Sequence, residues 1–206
     1  MKLHWSPRSP FVRKVMVVAH ERGLVGRLDC VRTVAATSKP HAELMRDNPL
    51  SKIPTLVLDD GTVIYDSAVI CEYFDTLGDL EDAPKLFPAD PKARLTALRR
   101  QALGDGFLDL LVLLLDERMR AQPSDAHLVS AALRKRAILD HLEEEAAALT
   151  AAQFSIGHVA IGCSLSYLDF RYADENWREG HSRLAAWHAT FAARPSVHAT
   201  EPVDDS

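Results

Sequence analysis

Cysteine is scarce in this chain: Cys30, Cys71 and Cys163 are odd in number, widely spaced and form no C-x-x-C pattern. That argues against a disulfide framework and against a structural zinc site, and all three read as reduced, buried thiols. Long apolar runs are also missing. The longest, Leu108 to Leu115, is interrupted by Asp109 and falls well short of the roughly 20 residues that cross a bilayer. The N-terminal MKLHWSPRSP lacks the apolar core of a signal peptide, so a cytoplasmic location is expected. Nor is there an excess of positive charge: the net charge is −5 with acids and bases interspersed, which offers no basic face to nucleic acid and no polybasic tail to a membrane. No internal repeat or low-complexity segment is evident, and EEEAAA, Glu143 to Ala148, reads as a solvated helical face. What remains is 206 residues, 47% hydrophobic and 26% charged, enough for one large core or two modest ones. The expected partner is a small molecule.

Punctuation by glycine, proline and capping residues divides the chain. Met1 to Trp5 is short and apolar, Phe11 to Glu21 has helical spacing and stops at Gly23, and Arg27 to Arg32 reads as a second strand. Ser38 to Asn48 is a short helix. Thr55 to Asp66 holds two β-rich runs flanking Asp60-Gly61, a strong hairpin signal. Ser67 then caps a helix to about Leu77, ended by Gly78. The order is β-α-β-α-β-β-α. After Gly78 the chain becomes acidic and proline-rich, and every later element reads as helix: from Asp90-Pro91 to Arg120, from Ser124 to Leu149, from Ser155 to Tyr172, and from Gly180 to Arg194, stopped by Pro195. The predicted organisation is an α/β domain over 1–78, a linker over 79–90 and an all-helical domain over 91–206.

The stretch WSPRSPFVRK, Trp5 to Lys14, holds two Ser-Pro pairs, and only one serine can cap the first helix. With Ser6 as cap, Pro10 would fall in the helix interior, at a cost of about 3 kcal/mol. With Ser9 as cap, Pro10 takes the first helical position, where proline costs nothing, and Ser6-Pro7-Arg8 becomes the bend leaving the first strand. Arg13 and Lys14 then oppose the helix dipole near its start. Either an anion is expected nearby, or both are simply solvated side chains. Ile53-Pro54 directly before a strand, and Asp66-Ser67 at the next helix start, are two further places fit for binding.

At these residues the chain resembles the cytosolic glutathione transferase superfamily. SPFVRKV, Ser9 to Val15, is similar to the superfamily's catalytic turn; NPLSKIPTL, Asn48 to Leu56, to the segment ending in a cis-proline; DSAVICEYF, Asp66 to Phe74, to its acid-serine motif. FSIGHVAIGCSLSYLDFR, Phe154 to Arg171, resembles the sixth-helix signature of bacterial members. The resemblance implies a thioredoxin-like domain followed by a helical domain, and glutathione as co-substrate. It implies that Ser9 donates a hydrogen bond to the glutathione sulfur. Ile53, before a cis-Pro54, would pair by backbone with the cysteinyl unit, and Asp66 and Ser67 would hold the γ-glutamyl amine and carboxylate. Ser51 or Lys52 would meet the glycyl carboxylate, with Lys39 and His41 as second candidates. Asp105 would reach the γ-glutamyl amine across a homodimer interface. A small hydrophobic electrophile would sit in a pocket lined by Trp5, Ser6, Phe107, Leu111 and Trp177, and no metal is implied.

The chain departs from the superfamily pattern in two ways. The sixth helix of members begins with Ser or Thr followed three residues later by Asp, a capping box; here the third residue after Ser155 is His158. A neutral imidazole can accept the bond that the acid would, and a protonated one cannot. Serine at position 9, rather than cysteine, disfavours thiol exchange by the protein itself, which leaves a serine-type transferase of bacterial class. Competing readings are a non-enzymatic scaffold on the same fold, of the stringent-starvation type, and a glutathione-dependent isomerase or dehalogenase.

Overall fold

The computed structural model describes residues 1–77 and 84–205. The predicted helix stop at Gly78 and the part of the predicted linker over 79–83 lie outside the described residues. The chain forms two compact units, Met1–Arg94 together with the residues from Pro195 onward, and Leu95–Arg194.

The first unit runs β1 (Lys2–Trp5), α1 (Pro10–Glu21), a 3-10 turn (Val25–Arg27), β2 (Asp29–Arg32), α2 (Leu44–Asp47), β3 (Thr55–Val57), β4 (Val63–Ile64) and α3 (Ser67–Leu77). The sheet order is β2-β1-β3-β4. β1 and β2 are parallel, joined by the α1 crossover, while β3 pairs antiparallel with both β1 and β4. The hairpin turns at Gly61, whose φ of 86° suits a residue without a Cβ. Leu3, Val15, Val18, Leu56, Ile70 and Phe74 are wholly buried between the sheet, α1 and α3. The helix expected over Ser38 to Asn48 shrinks to one turn, α2, because its first half is held otherwise: Lys39 pairs with Ala36, and the His41 N–H is given to Ser51 while the His41 ring accepts from the Leu44 N–H, where the helix begins. Cys71 is buried as expected, but Cys30 is exposed, because β2 is an edge strand.

The cations of the opening stretch are not solvated. Arg13 is 8% exposed and Lys14 is fully buried. The cause lies at the other end of the chain. Pro195, expected only as a stop, opens a further short helix, α8 (Pro195–His198), which packs on α1. Arg13 Nη2 donates to the Val197 carbonyl at 3.3 Å, which also accepts from the Thr200 N–H at 3.2 Å. The segment from Pro195 on therefore belongs with the first unit and not with the helical one, and so does the start of α4. A second buried cation fixes the chain just after the undescribed stretch. Arg22 lies 3.5 Å from Asp75, and the Asp75 carboxylate accepts the N–H groups of Leu86 and Phe87 at 2.9 and 3.2 Å. A buried pair of this kind is tolerable because its remaining lone pairs are used.

Continuing along the chain come α4 (Pro91–Arg118), α5 (Asp125–Ala151), α6 (Ile156–Arg171) and α7 (Ser182–Ala192), which make up the helical unit from Leu95 on. α6 is buried on all sides from Ile156 to Leu168, as befits a helix apolar all round. Glycines on both sides allow its contact with α4: a Cβ on Gly104 of α4 would lie 2.5 Å from the Ala160 carbonyl carbon, and one on Gly157 of α6 would lie 2.8 Å from the Ala97 carbonyl oxygen. The run Glu143 to Ala148 is a solvated face only in part: Glu144, Ala147 and Ala148 are exposed, but Ala146 is buried and the other two glutamates have partners. Glu143 accepts the N–H groups of Arg183 and Leu184 at 3.2 and 2.8 Å, capping α7 from α5, and Glu145 pairs with Arg99 and Arg100. Sequence alone hides this because both partners are distant in the chain.

Candidate active site

The strand registers gather the site. Arg32 is opposite Trp5 across β2 and β1. His4 opposite Thr55 sets Trp5 level with Pro54 one residue on. Leu56 opposite Ile64 sets Pro54 level with Asp66 two residues on. Arg32, Trp5, Pro54 and Asp66 thus stand at one end of the sheet. α1 and α3 both start at that end, so the positive ends of two helix dipoles lie there, a setting that favours anions.

Ser9 is the N-cap of α1, with φ −80° and ψ 119°, and Pro10 occupies the first helical position. Its Oγ accepts from the Val12 N–H at 3.3 Å. The cap engages the hydroxyl as an acceptor, so its hydrogen remains available to a ligand. Ser9 is half-buried, whereas Ser6 is 6% exposed, with Oγ accepting the Arg8 N–H at 3.4 Å. Of the two serines, Ser9 is the one that an outside molecule can reach.

The peptide bond Ile53-Pro54 is cis, and so is Tyr65-Asp66. The loop before Pro54 is tied from within by Asn48, a residue sequence reasoning passed over. Its Nδ2 donates to the Lys52 carbonyl at 3.1 Å and to Thr55 Oγ1 at 2.9 Å, and its Oδ1 accepts from Leu50 N–H at 3.0 Å. Asn48 is 1% exposed, so this knot is a packed unit and not a surface contact. Within the loop Ser51 adopts φ 52°, uncommon for a residue with a Cβ. Its Oγ accepts from the His41 N–H at 2.8 Å, and His41 Nδ1 in turn accepts from Leu44 N–H at 3.1 Å, so Ser51 and His41 brace one another. Lys39 and Lys52 are exposed. The expectation that Ser67 caps α3 is corrected: Asp66 is the cap, its Oδ1 accepting from Ala68 N–H at 3.0 Å, and Ser67 is the first helical residue. Asp66 is exposed, while Ser67 is 3% exposed behind it.

The residues expected to line an apolar pocket have different surroundings. Trp5 is half-buried at the end of β1, its carbonyl accepting from Thr33 N–H at 2.8 Å. In the helical unit Phe107 and Leu111 are fully buried on α4. Trp177 is 5% exposed and donates its indole N–H to Asp169 Oδ1 at 2.8 Å. Asp105 is half-buried on α4.

Comparison with known proteins agrees with this fold. Residues 8–77 match the family model of the glutathione S-transferase N-terminal domain and residues 136–190 that of the C-terminal domain. The chain is 30% identical, over 98% of both chains, to the uncharacterised glutathione S-transferase-like protein YibF of Escherichia coli strain K12. It is similar to a glutathione transferase family member from Pseudomonas fluorescens Pf-5 solved with bound glutathione, at 40% identity over 98% of both chains and a TM-score of 0.92. A second structure from that organism, with bound S-(propanoic acid)-glutathione, is 38% identical over 98% of this chain and 100% of the other, with a TM-score of 0.87.

Proposed function

The chain belongs to the glutathione S-transferase family, and we propose that it is a serine-type glutathione transferase in which Ser9 stabilises the glutathione thiolate for attack on a small apolar electrophile. The observation that carries the reading is the convergence of Ser9, Pro54 and Asp66 at one end of the sheet, beside the N-termini of α1 and α3. Relatives at 38–40% identity hold glutathione or a glutathione conjugate, which supports glutathione as co-substrate here.

The thiol of glutathione, with a pKa near 8.5, is only about 3% ionised at pH 7. Lowering that value by about two pH units requires about 2.7 kcal/mol of anion stabilisation. One charge-assisted hydrogen bond contributes roughly 1.5–3 kcal/mol, and the α1 terminus adds to it. Ser9 therefore acts as a donor and needs neither a base nor a covalent intermediate. In the same proposal the backbone of Ile53 pairs with the cysteinyl unit, Asp66 and Ser67 hold the γ-glutamyl end, and Ser51 or Lys52 meets the glycyl carboxylate. A homodimer, with Asp105 facing the partner's ligand, and a cytoplasmic, detoxifying role belong to it as well.

Retention on immobilised glutathione, followed by conjugation assays with a panel of electrophiles, tests the proposal. Retention with thioether formation is expected. A protein that passes through unretained would instead fit a non-enzymatic scaffold of the same fold.

A further inference from the structure

A stretch remote in sequence reaches the same end of the sheet. The Val203 N–H donates to the Pro7 carbonyl at 3.4 Å. Two residues on, the Asp205 carboxylate is shared between two guanidinium groups: Oδ1 lies 3.0 Å from Arg8 Nε and Oδ2 lies 2.6 Å from Arg32 Nε. Asp204 Oδ1 stands 3.8 Å from Arg8 Nη1, and Arg32 Nη1 also donates to the Thr33 carbonyl at 3.2 Å. The Arg32 guanidinium, with Arg8 behind it, holds the Asp205 carboxyl below the ordinary aspartate range, so it is an anion at neutral pH.

The two cations are placed by the site and not by the tail. Arg8 adjoins Ser9 in sequence, and Arg32 is the register partner of Trp5. Two guanidiniums brought together repel one another unless an anion lies between them, and a pair giving one N–H to each oxygen is suited to a carboxylate. The resident carboxylate is open to solvent: its side chain is 31% exposed, and exposed ion pairs contribute little on their own.

Resting on the transferase reading above, we propose that Arg8 and Arg32 form a carboxylate clamp beside the thiol site. This narrows the electrophile of that reading from a wholly apolar molecule to one whose apolar body ends in a carboxylate, which is carried to this clamp, and Asp205 is an internal competitor for it. Because the competitor is tethered, its effective concentration is high, and an outside carboxylate sees only the fraction of molecules in which the clamp is open.

Calorimetric titration with S-(propanoic acid)-glutathione, its neutral propanamide analogue and glutathione itself tests this in the full chain, in Asp205→Asn and in a chain ending at Pro202. Both variants are expected to bind the acid conjugate about 3–10-fold more tightly than the full chain, with the amide and glutathione unchanged. Adding Arg32→Gln to Asp205→Asn should abolish the preference for acid over amide, and Arg8→Gln is the alternative should that protein not fold. An acid and an amide that respond alike, or a preference that survives loss of the arginines, overturns the clamp and leaves the transferase reading intact. No binding of glutathione by any of these proteins overturns both.

Discussion

The backbone N–H of Ser155 donates to His158 Nδ1 at 3.1 Å, while His158 Nε2 stands 3.0 Å from the Leu149 carbonyl. A carbonyl can only accept and an N–H can only donate, so the ring is neutral with its proton on Nε2. The imidazole therefore takes the acceptor role that an acid has in the usual capping box, and adds a tie to the end of α5 that an aspartate could not make.

Acid should loosen this arrangement. Burial first, and the charges of Arg100 and Arg194 after it, push the His158 pKa below its ordinary 6.5, against the opposing bond to Leu149. The folded state thus binds its proton less readily than the unfolded chain. The stabilisation is fully present above pH 6.5 and is lost as pH falls through the folded pKa. His158→Gln, which does not titrate, should melt lower than wild type at pH 7 and show a flatter melting profile from pH 7 toward 5. Parallel profiles for the two proteins would end this account.

Two glycines of α4 should respond in opposite directions. A Cβ at Gly104 meets Ala160 C at 2.5 Å and Ile161 N at 2.7 Å, backbone atoms of a buried helix, whereas one at Gly106 meets nothing within 4 Å. Gly104→Ala should cost about 1–3 kcal/mol by overpacking. Gly106→Ala should gain about 0.5–1 kcal/mol from helix propensity. Chemical denaturation of both variants checks the pair, and a Gly104→Ala protein as stable as wild type contradicts the close approach.

What could be read from the sequence was local. Ser9 as cap followed from the placement of Pro10, the hairpin from Asp60-Gly61, and the unusual box from Ser155 and His158, since each signal lies within a few residues of its effect. Contacts between remote residues were not readable. Nothing near Arg13 announces that α8 arrives from 184 residues away, nor does the run of glutamates reveal that Glu143 caps α7. Asn48 shows the middle case: its partners are within seven residues, but an asparagine in a loop is too common to single out.

Removing the Asn48 side chain should unsettle the loop that ends in Pro54. Asn48→Ala deletes two donated bonds and one accepted bond inside a buried knot, which at about 0.5–1.5 kcal/mol each amounts to about 2–4 kcal/mol of stability. If the Ile53 backbone holds glutathione as proposed, the Michaelis constant for glutathione should rise several-fold while turnover at saturation changes little. Steady-state kinetics well below the melting temperature separates the two, and a fall in turnover alone would assign the loop a different role.

Ser9 carries the main functional claim, and its geometry makes the outcome specific. Its lone pair serves Val12 and its hydroxyl hydrogen is the donor left for the thiolate, so Ser9→Ala removes two interactions of different kinds. The lost cap should cost about 1 kcal/mol, too little to unfold a typical domain. The lost charge-assisted bond should raise the pKa of bound glutathione by about one to two pH units and lower activity near pH 7 about ten- to a hundredfold. Glutathione affinity should change much less, because the tripeptide is held mainly at Ile53, Asp66 and Ser67. Thiolate absorbance of the complex against pH, for wild type, Ser9→Ala and Ser6→Ala, reads the effect directly. Ser6 is buried behind the loop, so its replacement should leave the thiol pKa where it was. A rise on Ser6→Ala with none on Ser9→Ala would transfer the role to the other serine, and no rise on either would leave the N-terminus of α1 as the only source of stabilisation.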